Sequence, residues 1–177
     1  MYNGWRQLYF IYPLLIFISI RGLDFFVKKF QTRNIIIVIT PFLIFTTVWM
    51  IINHPFQFAY FNKLAGNNIR NNFEVDYWGL SNRSTLNYIA KNDTRRNINI
   101  YVFSESPYHW SLLMLDKKDR KRLKFVKNIN KANFIVTNHF YQEGNPIVIE
   151  QTLNKKFKLF KEFKVNKIPI NSIYIKN

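Results

Sequence analysis

From Ile35 to Ile52 the chain runs eighteen residues without a charge, and only Thr40, Pro41, Thr46 and Thr47 interrupt its large apolar side chains. That is about the length a helix needs to cross the ~30 Å hydrocarbon core of a bilayer. A second apolar run, Leu8 to Ile20, contains Tyr9, Tyr12 and Ser19 and is prolonged beyond Arg21 by Leu23, Phe25 and Phe26. With the Arg21 head drawn to the interface, the pattern predicts two transmembrane helices, over about 5–26 and 35–52. The first run does not read as a signal peptide, because only Arg6 precedes it and Arg21 to Asp24 offers no small-x-small cleavage site.

Beyond Asn53 the pattern changes. Residues 54–79 are irregular and rich in Asn, Gly and aromatic side chains. Ser81 or Asn82 can cap the first amides of a helix that carries Leu86, Ile89 and Ala90 on one face. The β-branched and aromatic content of 98–103, 123–126, 134–137, 147–150, 157–165 and 168–175 predicts strands, with 157–165 alternating roughly between apolar residues and lysines. Pro107 opens a short helix with Trp110, Leu113 and Met114, and the basic run 117–122 closes that helix or forms a turn. The expected architecture is a membrane α-helical hairpin followed by a small extracytoplasmic α/β domain over 80–177.

Charge sets the orientation. The connection 21–34 carries Arg21, Lys28, Lys29 and Arg33 against Asp24, and short basic loops stay in the cytoplasm. Both Met1 and everything after Asn53 then lie on the far side, which is the periplasm of a bacterium and gives a multi-pass inner-membrane protein. The region from Asn53 to Asn177 is itself basic, with twenty-one Lys and Arg against nine Asp and Glu. Long domains translocate largely regardless of charge, so the short loop decides. A net charge of +16 admits anionic lipid, phosphate-bearing substrates or nucleic acid as partners. No zinc-finger spacing or RNP-type motif points to nucleic acid, which is not an expected partner.

The chain has no cysteine, which excludes disulfides, thiolate catalysis and cysteine-ligated metal. No cofactor or metal is expected. The basic clusters 117–122 and 155–158 read as solvated faces or as anion-binding patches.

Three segments carry a family resemblance: Tyr2-Asn-Gly-Trp-Arg-Gln-Leu-Tyr-Phe10 with Pro13, His54-Pro-Phe-Gln-Phe-Ala-Tyr-Phe-Asn62 with Gly66, and Phe73-Glu-Val-Asp-Tyr-Trp-Gly79. In this order they resemble the C-terminal part of bacterial GT-C type membrane glycosyltransferases, the group of the protein mannosyltransferases and aminoarabinose transferases. The resemblance is strong to about residue 90 and a general pattern beyond it. It implies transfer of a sugar from a polyprenyl-phosphate donor to an acceptor at the outer face of the membrane. In that family further spans precede this part, and the catalytic acidic residue lies in an outer loop near the N-terminus. Nothing here matches that loop, so the chain is expected to be a fragment or separately encoded tail, inactive alone and completed by the missing N-terminal part. The family commonly has His where this chain has Gln7, which cannot carry a proton or a positive charge.

Arg6 offers a fork of donors for the donor phosphate, or else anchors the span end at the interface. His54 donates to a phosphate or sugar hydroxyl, or ends the helix with Pro55. Tyr60 and Asn62 bind sugar or pack the loop. Tyr77 and Trp78 stack on a sugar ring or join an aromatic belt. Glu74 and Asp76, on one face if the segment is a strand, contact the acceptor or serve structure by capping the next helix or pairing with Arg70 or Arg83. His109 and His139 stand alone. No residue is assigned as catalytic. A rival reading is a non-enzymatic, membrane-anchored basic module that binds anionic lipid or surface polymer.

Overall fold

The computed structural model describes residues 10–61, 65–66, 69–140 and 157–176. They fall into two compact units, Met1–Ile52 and Asn53–Asn177.

Among the described residues the first unit holds two helices, α1 (Tyr12–Lys29) and α2 (Thr32–Ile52). Pro13 sits at the start of α1, where its missing N–H costs nothing. The expected loop over 21–34 shrinks to Phe30 and Gln31. Helix α1 continues through the charged stretch because Asp24 and Lys28 pair at 2.8 Å one turn apart and Phe26 stacks on Phe30. Among the described residues, α2 is the one helix long and apolar enough to cross a membrane. The predicted first span begins outside the described residues. No residue of α1 or α2 is buried. Ser19 and Thr46 nevertheless satisfy their hydroxyls internally, on the carbonyls of Leu15 and Phe42 at 2.8 Å each.

The second unit opens with a 3-10 turn, Gln57–Ala59, and a single helical turn, α3 (Ile69–Asn72). Then come α4 (Asn82–Asn92), β1 (Ile98–Val102), α5 (Tyr108–Leu113), α6 (Lys117–Arg122), β2 (Leu123–Phe125) and β3 (Phe134–Thr137). A hairpin, β4 (Phe157–Val165) and β5 (Ile168–Lys176), ends the unit. The five strands form one mixed sheet in the order β2-β1-β3-β5-β4. β1 runs parallel to β2 and β3, whereas β5 runs antiparallel to β3 and β4. The predicted strand over 147–150 and the cluster 155–158, apart from Phe157 and Lys158, lie outside the described residues.

Alternation along the strands builds two apolar layers. Ile98 and Ile100 of β1, Leu123 of β2, Phe134 and Val136 of β3 and Ile173 of β5 pack with Leu86, Ile89 and Ala90 of α4 and Tyr108 of α5. The opposite face buries Ile135, Phe157 and Tyr174. The expected alternation along β4 is broken. Register shifts fall between Leu159 and Lys161 and between Phe163 and Lys164, so Phe160 joins the helix side, 5.9 Å from Tyr88 and 5.8 Å from Phe134.

The basic run 117–122 is a helix of its own rather than a closing turn. Arg122 turns inward and donates to the carbonyls of Ala90 at 2.9 Å, Arg95 at 3.1 Å and Asp93. It thereby occupies carbonyls left open where α4 ends.

Candidate functional site

The third motif is not a strand. Residues 75–78 form a turn in which Asp76 is buried while Glu74, Tyr77 and Trp78 are exposed, so Glu74 and Asp76 do not share a face. Asp76 is 2 % exposed, and its carboxylate accepts the amides of Leu80 at 2.8 Å and Ser81 at 3.1 Å together with the Ser81 hydroxyl. These amides stand just before α4, so Asp76 fixes the turn that leads into the helix and does not cap its first turn. Ser81, expected to cap, makes no capping bond with its own side chain. Burial pushes the Asp76 carboxyl above its ordinary range, against the bonds from Ser81, Leu80 and Gly79 that favour the ionised form.

A web of buried amides and hydroxyls ties this turn to the sheet. Asn138, just past β3, donates to the Asp76 carbonyl at 2.7 Å. Asn171 of β5 donates to the Ser81 hydroxyl at 2.8 Å and to Asn82 Oδ1 at 3.1 Å, and it accepts from the Tyr108 hydroxyl at 3.0 Å. Asn82 in turn donates to Ser106 Oγ at 2.6 Å. Gly79 has φ +65°, and a Cβ there would stand 2.3 Å from both Asn82 Nδ2 and Ser106 Oγ. Backbone conformation and space both require glycine.

The result is a fixed turn that carries two aromatic rings outward. Tyr77 and Trp78 meet edge to face at 5.0 Å, and Phe140 lies 5.1 Å from Tyr77 on the same pattern. Trp78 is 64 % exposed.

The second motif lies in the same unit. His54 is exposed, with Nδ1 2.9 Å from Gln57 Nε2, and Tyr60 is exposed as well. Phe56 packs on Phe163 of β4 at 6.0 Å, and Phe61 packs on Phe73 at 5.4 Å, which joins the second motif to the third. Arg6 and Asn62 lie outside the described residues.

His139 does not stand alone. Its Nδ1 lies 3.0 Å from Arg70 Nη2 and its Nε2 lies 2.9 Å from Ser172 Oγ, which is 3.5 Å from Glu162 Oε1. Arginine has only donors, so Nδ1 accepts, and a neutral ring then carries its proton on Nε2. The hydrogen bonds then run from Arg70 to His139, from His139 to Ser172 and from Ser172 to Glu162, the final acceptor. In that tautomer His139 donates to the buried Ser172 hydroxyl, which relays toward Glu162. Among the described residues no three His, Asp or Glu side chains gather as metal ligands.

Sequence reasoning did not single out Asn138, Asn171, Tyr108 or Arg122. Asn138 stands just beyond the C-terminal end of a parallel strand, where α/β sheets place functional polar groups, and that position was the available signal. Comparisons with protein-family models, with curated proteins and with solved structures return no match to the chain.

Proposed function

We propose that the chain is the C-terminal portion of a GT-C type glycosyltransferase, which moves a sugar from a polyprenyl-phosphate donor to an acceptor on the outer face of a bacterial cytoplasmic membrane. In this reading α1 and α2 both span, and residues 53–177 lie outside. The portion binds donor and positions acceptor, and the catalytic acidic residue comes from a loop with no counterpart in this sequence.

The observation that carries the reading is the turn 76–79, fixed by buried hydrogen bonds yet presenting Tyr77 and Trp78 at the surface. Aromatic faces held in place suit the C–H face of a sugar ring or an isoprenoid unit at the interface. Two further features support it. The uncovered apolar surface of α2 needs lipid or other helices around it, and the second unit begins at Asn53, directly after the helix ends at Ile52. Within the second unit, the exposed His54 and Tyr60 offer donors for phosphate and sugar oxygens.

The test is photolabelling of the full chain in vesicles by a polyprenyl phosphate bearing a benzophenone. Labelling is expected to be displaced by polyprenyl-phosphate sugar but not by the phosphate-free polyprenol. Trp78→Ala is expected to weaken labelling by up to about tenfold, the upper range of one aromatic contact. Equal displacement by the phosphate-free alcohol, or indifference to Trp78, removes the reading.

A further inference from the structure

Helix α5 packs Tyr108 and Leu112 against the core, yet it also carries large apolar side chains on its exposed side. Its buried residues are Tyr108 and Ser111, while Trp110 is 60 %, Leu113 55 % and the adjoining Met114 61 % exposed. Single apolar residues on a surface need no explanation, but three large ones within five positions do. Immediately after them α6 exposes Lys117, Lys118 and Lys121, while its Arg122 is committed to the α4 carbonyls.

We infer that this α5–α6 segment is a membrane-docking surface, in which Trp110, Leu113 and Met114 enter the bilayer interface and Lys117, Lys118 and Lys121 engage anionic headgroups. The inference rests on the reading that α2 spans the membrane. Lysine chooses the occupant. It is depleted from protein–protein interfaces but characteristic of segments that lie in an anionic lipid surface, where tryptophan sits at headgroup level. Tethering favours the same occupant, because with α2 in the bilayer the chain that follows at Asn53 is held at high effective concentration near the lipid. Each lysine near an anionic leaflet contributes about fivefold to partitioning. The three together make the contact dependent on lipid charge and on salt.

The experiment uses the full chain in phosphatidylcholine vesicles with and without phosphatidylglycerol, some of the lipid carrying bromine near the top of the acyl chain and some near its end. One variant keeps only Trp110 and a second keeps only Trp49 of α2, the other tryptophans being replaced by Phe. The expected result for Trp110 is a blue-shifted emission in phosphatidylglycerol vesicles, quenched by shallow bromine and shielded from aqueous iodide. Lys117→Gln, Lys118→Gln and Lys121→Gln combined, or high salt, is expected to abolish that shift. Trp49 is expected to be quenched by deep bromine in both lipids. If Trp49 is quenched while Trp110 stays red-shifted and open to iodide, the docking surface is refuted and the anchor stands. If Trp49 is not quenched, the spanning helix and the docking surface fall together.

Discussion

Asn138 donates its side-chain amide to the main-chain carbonyl of Asp76 at 2.7 Å, sixty-two residues away in sequence. Through this bond the end of β3 holds the turn that exposes Tyr77 and Trp78. A surface pair of rings is therefore set by the interior of the sheet domain, and substitutions at the turn separate cleanly into those that disturb the fold and those that do not.

Gly79→Ala is expected to cost about 2–4 kcal/mol, from the left-handed backbone and from overpacking against Asn82 and Ser106. Trp78→Ala, one position away, should leave stability within about 0.5 kcal/mol of the parent, because the ring is mostly exposed. Urea denaturation of the two variants checks the contrast. Equal costs would contradict the fixed turn.

Arg122→Gln removes donors to three carbonyls at and just beyond the end of α4 and is expected to cost about 1.5–3 kcal/mol, the range for charged hydrogen bonds. Lys121→Gln in the same basic run should change stability by less than about 0.5 kcal/mol. The same denaturation measurement distinguishes a structural arginine from solvated neighbours.

Asp76 and Asp93 should respond to pH with opposite signs. Burial raises the Asp76 carboxyl, so the folded chain holds its proton more tightly than the unfolded chain. Its contribution is complete below the ordinary value of 3.8 and is lost as pH rises through the raised folded value. The hydrogen bond from Arg95 lowers the Asp93 carboxyl, so its contribution is present above 3.8 and is lost as pH falls through the lowered folded value. Denaturation midpoints across acid pH should therefore show the deficit of Asp76→Asn shrinking as pH rises and that of Asp93→Asn shrinking as pH falls.

The direction of the hydrogen bonds from Arg70 through His139 and Ser172 to Glu162 fixes the tautomer of the neutral His139 ring. Nitrogen NMR shifts near neutral pH should show the proton on Nε2. A proton on Nδ1 would refute the relay and reopen Ser172 as a group that His139 can activate.

Much of the scaffold was legible in the residues themselves. The β-branched runs that became β1, β3 and β5 and the apolar stripe of α4 report burial by local pattern, and the eighteen-residue stretch of α2 reports a long apolar helix whose surface the chain leaves uncovered. What escaped was set by tertiary contact. Asp76 looked like one half of a carboxylate pair on a strand, but its partners are amides that come within reach only once the chain turns at Gly79. Phe160 falls on the helix side because of a bulge, which no alternation rule anticipates. Arg122 was indistinguishable from its basic neighbours until the end of α4 was placed beside it. At the site, Tyr77 and Trp78 were singled out by their motif, with sugar stacking and an aromatic belt as the alternatives, whereas Asn138 and Asn171 carried no motif.

Topology tests the central claim most directly, and the absence of cysteine makes the chain ready for it. A single cysteine at Lys127→Cys in the sheet domain, or at Lys28→Cys beside the connection between α1 and α2, can be treated in intact cells with a maleimide that does not cross membranes. Labelling at position 127 without labelling at position 28 is the predicted result. The reverse pattern would put the turn of Tyr77 and Trp78 on the cytoplasmic side and contradict the account.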